Sequence, residues 1–304
     1  MLSALIFTLL TGGCFASISV ILSRLAHSRI SFFRFFALSN LLASAAAWIL
    51  LSDRAQIAGA GWGRVLPFAA AVGMINTASQ AAFALSLRWG HNGVSLAIRN
   101  SAAMISMLAA AVFLHETLHA VNVVGAAVVL LSLAELAVFG KGGSVATNWR
   151  KWIPAVTASL LLSGSYQSLM TASVLLPEGD RAAGVLVPCL LGFCGVGNLL
   201  AAMIERRLAR ERLPLLHGFD AGVWKTMCAW SGIALLQYFL LIHALEAGRA
   251  AGIAALTWPL LIGVNVTAFS LFCRFRWKEK YPPATVIGMA GCVLGLILII
   301  WGRK

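Results

Sequence analysis

The sequence predicts an all-α membrane protein, with ten transmembrane helices arranged as two inverted five-helix repeats. Three observations predict it. Apolar stretches of about twenty residues follow one another from Leu2 to Trp301 with only short polar breaks, and a helix needs roughly 20 apolar residues to cross a hydrocarbon core about 30 Å thick. The chain of 304 residues is 60% hydrophobic and 11% charged. A soluble domain carries about 25% charged residues, so no soluble interior is large enough for this apolar surface. Finally, the two halves carry similar short motifs in the same order.

Long unbroken apolar runs argue for helices, since the strands of a membrane barrel alternate and lipid satisfies no unpaired backbone group. The predicted spans are 2–22, 31–52, 65–87, 94–114, 119–140, 152–175, 183–204, 223–244, 250–273 and 283–301. The first run has no basic cluster before it and no small-residue cleavage site, so it reads as a retained helix. It closes at Ser23-Arg24, and the second lies between Arg29 and Asp53. Arg64 and Arg88 flank the third; His115 and Glu116 close the fourth; Lys141 closes the fifth. The sixth follows Arg150-Lys151 and stops before Glu178, and the seventh stops at Glu205-Arg206-Arg207. The eighth lies between the basic loop of residues 206–223 and Glu246, the ninth stops at Arg274, and the tenth stops at Gly302. Such short connections make consecutive helices antiparallel. The six cysteines (Cys14, Cys189, Cys194, Cys228, Cys273, Cys292) form no C-x-x-C pair and read as small apolar packing residues.

The net charge of +13 does not indicate nucleic acid, because the basic residues sit in short loops, where membrane orientation accounts for them. Sixteen fall in the loops after spans 1, 3, 5, 7 and 9, six fall on the opposite side, and Arg99 lies within a span. Positive loops stay in the cytoplasm, which places both termini outside.

The repeat divides the chain into residues 1–144 and 145–304. Leu9-Leu10-Thr11-Gly12 returns as Leu161-Leu162-Ser163-Gly164; Ser86, Leu87 and Gly90 return as Ala244, Leu245 and Gly248. Glu116, Val123, Gly125, Ala127 and Leu131 return as Glu279, Val286, Gly288, Ala290 and Leu294. Five spans is an odd number, so the second copy is upside down. Inverted repeats enclose a site near the bilayer midplane and alternate its access.

These ten spans, with the Leu87…Gly90 turn, the Leu114-x-Glu116-x-Leu118 turn and the second-half Ala244-Leu245-Glu246-Ala247-Gly248, resemble the drug/metabolite transporter superfamily over essentially the whole chain. That superfamily includes amino-acid and metabolite exporters, nucleotide-sugar exchangers and sugar–proton symporters. The basic stretch from Ser23 to Arg29 is closer to the rhamnose-symporter branch. The resemblance implies proton coupling or exchange. Many members have cytoplasmic termini, against the charge count here.

Polar groups inside spans are the candidate site residues, since an ionisable group at the membrane centre costs on the order of 3 kcal/mol. Arg99 is the main one, beside Asn100. It either snorkels to the interface, binds an anionic or hydroxylated solute, or pairs with Glu135, which span antiparallelism places at similar depth. That pair is structural or serves coupling. Asn76 and Gln80 share a helix face. Gln167 and Tyr166 in span 6, Gln237 and Tyr238 in span 8, and Trp258 in span 9 complete a hydrogen-bonding and aromatic lining suited to a sugar or polar metabolite. Pro259 frees backbone groups and permits a kink. Glu116 reads as a turn or capping residue, and His243 and Glu246 as groups at the exit of span 8.

The expectation is therefore a secondary transporter of a small polar organic solute, a sugar or similar metabolite, coupled to protons and multi-pass in a bacterial inner membrane. An exporter of amino acids or other metabolites is the alternative. No Walker motif supplies ATP chemistry, and no metal or cofactor is expected. An enzyme would need a matched cluster near an interface; Asp53, Asp180 and Asp220 lie in loops and the histidines are scattered.

Overall fold

The structure is a computed structural model describing residues 1–25, 31–89, 95, 98–116, 119–139, 148–208, 219–276 and 283–302. The described residues contain helices and no strands. In chain order these are α1 (Leu2–Leu25), α2 (Phe32–Leu50), α3 (Arg54–Gly59), α4 (Trp62–Trp89), α5 (Ala102–Leu114), α6 (Ala120–Phe139), α7 (Trp149–Ala172), α8 (Glu178–Arg181), α9 (Ala183–Leu208), α10 (Ala221–Ala250), α11 (Thr257–Arg276) and α12 (Pro283–Trp301). Two 3₁₀ turns, η1 (Ser173–Leu175) and η2 (Ala254–Leu256), precede α8 and α11.

Five helices (α1, α2, α4, α9 and α10) are long and apolar enough to cross a membrane, and shorter apolar helices lie beside them. Large apolar side chains face outward: Ile49 and Leu208 are 81% exposed and Phe275 75%. Such a surface is stable against lipid, not water. The chain is an all-α, multi-pass membrane protein.

Connections gather at two ends. At the end where α1 begins (the N-terminal face), Gly61 and Arg64 meet Asp180, Arg181 meets Glu246, and Glu116 meets Ala254 and Ala255. At the opposite face Ser31 meets Glu205, Trp152 meets Ser95, and Asn148 meets Trp89. Up-and-down alternation sorts connections in this way.

The two sequence halves are not separate bundles. The closest helix pairs among the described residues are α6 with α12, α2 with α9, α4 with α7, and α1 with α10, followed by α4 with α9, α1 with α11, α5 with α7, and α2 with α10. Each pair takes one helix from each half. A body of α4, α5, α7 and α9 thus faces a body of α1, α2, α10 and α11, with α2 against α9 joining them. Glycines let these helices touch: a Cβ on Gly73 of α4 would lie 2.7 Å from the Phe193 carbonyl carbon and 2.8 Å from the Cys194 nitrogen of α9.

Helices lie where the apolar runs put them, with three corrections. Span 9 starts at Thr257, not 250, and α10 continues to Ala250. Gly252 adopts φ +64, Ile253 N–H donates to Gly248 O at 2.7 Å and Gly252 N–H to Arg249 O at 2.9 Å. This Schellman end needs a residue without a Cβ penalty. His243 and Glu246 consequently belong to the helix. Span 4 is interrupted: residues 98–100 are helical, Ser101 is a turn, and α5 follows. Pro259 frees no carbonyl within α11, because it is the third residue of that helix and its missing N–H falls among donors that have no intrahelical partner. Pro188, the sixth residue of α9, does free a carbonyl, that of Gly184, and the Ser52 hydroxyl donates to it at 2.5 Å.

Candidate functional site

A cavity of ≈ 190 Å³ lies between the two bodies. Pockets for drug-sized ligands run about 300–1,000 Å³, so this one suits a small metabolite. Its walls come from the later part of α1, the start of α2, the later part of α4, residues 99 and 100, the later part of α7, the middle of α10 and the first half of α11. Four of those segments lead to the opposite face, while the end of α7 and the start of α11 lead to the N-terminal one.

Every substrate-contact residue expected from the sequence lines this one cavity. On the first body are Asn76 and Gln80 of α4, then Arg99 and Asn100, then Tyr166 and Gln167 of α7. On the second are Gln237 and Tyr238 of α10, and Trp258 of α11. They meet because α4 and α10 bring their polar stripes to opposite walls, and a polar group turned to lipid instead finds no partner.

A hydrogen-bonded chain crosses the cavity floor. Asn76 donates to the Tyr238 hydroxyl at 3.4 Å and to Cys194 Sγ at 3.4 Å, and the Tyr166 hydroxyl donates to that of Tyr238 at 3.2 Å. Gln80 Nε2 reaches Asn76 Oδ1 at 3.5 Å, while Gln80 Oε1 is buried with no partner among the described residues. Ser106 donates to Gln167 Oε1 at 3.4 Å. Trp258, 2% exposed, donates its ring N–H to Thr171 at 3.0 Å and stands edge-on to Tyr166 and Phe15. It forms the base of the cavity on the side of the N-terminal face.

Arg99 is half-buried and forms no ion pair with Glu135. Its guanidinium lies 4.5 Å from the Phe83 ring centroid, and Nε donates to the Ser163 hydroxyl at 3.2 Å. Ser163 is in turn 2.7 Å from Ser79. A cation over an aromatic face gains about 0.5–2 kcal/mol, the more the less water reaches it. Glu135 is half-buried on α6 and does not line the cavity, and among the described residues no carboxylate forms an ion pair with Arg99.

Several lining residues went unnamed in the sequence reading. Phe83 completes the Asn76–Gln80–Phe83 stripe at i, i+4, i+7, and Trp230 stands one heptad before Gln237. Asn40, 6% exposed, was visible as a lone amide within span 2. Cys194 is more than packing, since it bonds Asn76 and stands 3.7 Å from Tyr238.

The N-terminal side of the cavity is tied shut between the bodies. Glu116, after α5, accepts from the N–H groups of Ala254 and Ala255 at 2.9 Å each, capping η2. Arg181 pairs with Glu246 at 3.1 Å, His243 stands 3.4 Å from the same carboxylate, and Arg249 donates to the Val174 carbonyl. At the opposite face, among the described residues, Ser31 at the start of α2 donates to Glu205 near the end of α9.

No family model matches the chain, and no curated protein does. A solved structure described as "Crystal structure of protein" superposes with a TM-score of 0.71 at 16% identity, over 97% of this chain and 96% of its own. That likeness extends to the whole fold.

Proposed function

We propose that the protein is a secondary transporter that moves a small polar organic solute, a sugar-like metabolite, across a bacterial inner membrane by alternating access. The observation that carries this reading is the ≈ 190 Å³ cavity on which nine membrane-embedded polar and aromatic residues converge. Packing alone gives no reason to aim so many amides at one space, and Gln80 Oε1 still lacks a donor. A hydroxyl or amine of a solute would supply it.

Ten crossings and inverted repeats belong to this proposal. The helix pairs support them. Exchanging each long helix for the fifth one after it turns α4–α7 into α10–α1, α4–α9 into α10–α2, and α5–α7 into α11–α1. It leaves α2–α9 and α6–α12 unchanged. All are close pairs in the fold. Two similar mixed bodies then rock about the solute, rather than two sequence halves. With the basic loops cytoplasmic, the opposite face is the cytoplasmic one and the tied N-terminal face the outer one. Opening to the other side requires breaking the Glu116, Arg181–Glu246, Arg249–Val174 and Trp258–Thr171 ties. Proton coupling is part of the reading, and the His243–Glu246 contact lies at that gate.

The test is uptake and counterflow of labelled sugars, sugar acids and amino acids in vesicles containing the purified protein. We expect saturable transport of at least one of them that Gln80→Ala weakens. Transport untouched by Gln80→Ala, or no transport of any, would remove the reading.

A further inference from the structure

We infer that the transported solute is a small organic anion whose negative group docks on Arg99. This rests on the cavity being the solute site, and narrows the solute class from polar to acidic.

The argument is a charge count. The chain has ten Asp and Glu residues, eight of them described. Asp53 and Asp220 cap α3 and α10. Glu116 caps η2, Asp180 holds Gly61 and Arg64, Glu205 meets Ser31, and Glu246 pairs with Arg181. Glu178 and Glu135 also lie off the cavity wall. Among the described residues Arg99 is thus the one ionic group lining the cavity, and the empty site carries a formal charge of +1.

The other liners do not offset that charge. They are amides, hydroxyls, phenols, aromatic rings and aliphatic side chains. The Phe83 face and the Ser163 hydroxyl stabilise the guanidinium without neutralising it. A half-buried cation within a membrane-spanning bundle is ordinarily paired, so the missing counter-charge comes in with the solute. A neutral sugar would leave the guanidinium uncompensated in a closed site, whereas an acid would complete it.

The geometry favours an end-on grip. Nε is taken by Ser163, and no described residue accepts from either Nη group. Their two parallel N–H bonds match the two oxygens of a carboxylate, or two oxygens of a phosphate. The Gln80 Oε1 acceptor, on the helix that also carries Phe83, is suited to a hydroxyl on the same molecule. The solute implied is small, hydroxylated and singly acidic.

The experiment compares matched pairs in vesicles containing the full chain: gluconate against sorbitol, glycerol 3-phosphate against glycerol, and benzoate against benzyl alcohol. Uptake is read beside tryptophan-fluorescence titration. The parent should favour the acidic member of at least one pair by about tenfold or more. The pair that responds separates carboxylate from phosphate. Arg99→Gln should erase the preference and Arg99→Lys should keep part of it, both with the parent's melting profile. If the parent handles the neutral member equally well or better, the anion inference falls and the carrier reading stands. If neither these pairs nor the wider panel of sugars and amino acids is bound or moved, both fall.

Discussion

Asp180 should matter more to stability than the arginine with which it pairs. Its side chain is 2% exposed, while Arg64 is 62% exposed. Two bonds converge on the carboxylate: Gly61 N–H at 2.5 Å, and Arg64 Nε–H at 2.7 Å. A hydrogen bond to a buried charge contributes about 1.5–3 kcal/mol, whereas an ion pair with a solvent-exposed partner contributes about 0–1 kcal/mol. The Gly61 bond fixes the start of α4 against the α7–α9 connection, and nothing else described accepts from that N–H. Asp180→Ala should therefore destabilise by about 2–4 kcal/mol, and Arg64→Gln by less than about 1 kcal/mol. In the detergent-solubilised protein, followed by tryptophan fluorescence on heating, this is a fall of roughly 4–8 °C against under about 2 °C. The Gly61 N–H first, and Arg64 second, hold the Asp180 carboxyl below its ordinary value of 3.8. Its contribution is therefore complete above pH 3.8 and is lost as pH falls through the lowered value. Asp180→Asn should flatten that acid limb. Equal losses for Asp180→Ala and Arg64→Gln would refute the reasoning, because the exposed ion pair would then be carrying the contact.

Glu116→Gln removes the charge from two bonds that hold η2 and should loosen the N-terminal face by about 1.4 kcal/mol, or roughly tenfold in opening. Labelling of a Thr171→Cys probe by an impermeant maleimide should rise accordingly, and an unchanged rate would count against the gate. Gly73→Ala sets a methyl against the α9 backbone at 2.7–2.8 Å and should destabilise by about 1–3 kcal/mol, read as a lower melting temperature. Tyr238→Phe removes the acceptor shared by Asn76 and Tyr166, and should raise the apparent KM for uptake several-fold while leaving the amount of protein in the membrane unchanged.

The apolar runs were legible because a helix that crosses lipid has a length set by the bilayer. The cavity residues were legible because an amide or guanidinium in hydrocarbon is costly enough to need a reason. Neighbours were not legible. In a soluble helix an apolar stripe marks the buried face, but lipid is as apolar as a protein core. Hence Val65 is buried and Leu66 is 42% exposed, with no change of chemistry between them. The same loss of contrast hid the interlacing of the halves and made Glu135 look like the partner of Arg99. The sequence distance between Arg99 and Ser163 offers no cue that a hydroxyl and Phe83 take that place. The break before Trp258 depends on Gly252 adopting a left-handed turn, which an apolar window does not register.

Interlacing has a consequence for how the molecule is made. When the ribosome has delivered residue 139, α1, α2, α4 and α5 have almost none of their final neighbours, because those lie in α7 to α11. The nascent helices must wait in the bilayer as loose companions. Until α7 inserts, Arg99 has no Ser163; until α9 and α10 insert, Asn76 has neither Cys194 nor Tyr238. Biogenesis of this protein is therefore most vulnerable halfway through synthesis, when its costliest side chains are already in the membrane and the helices that shelter them are not.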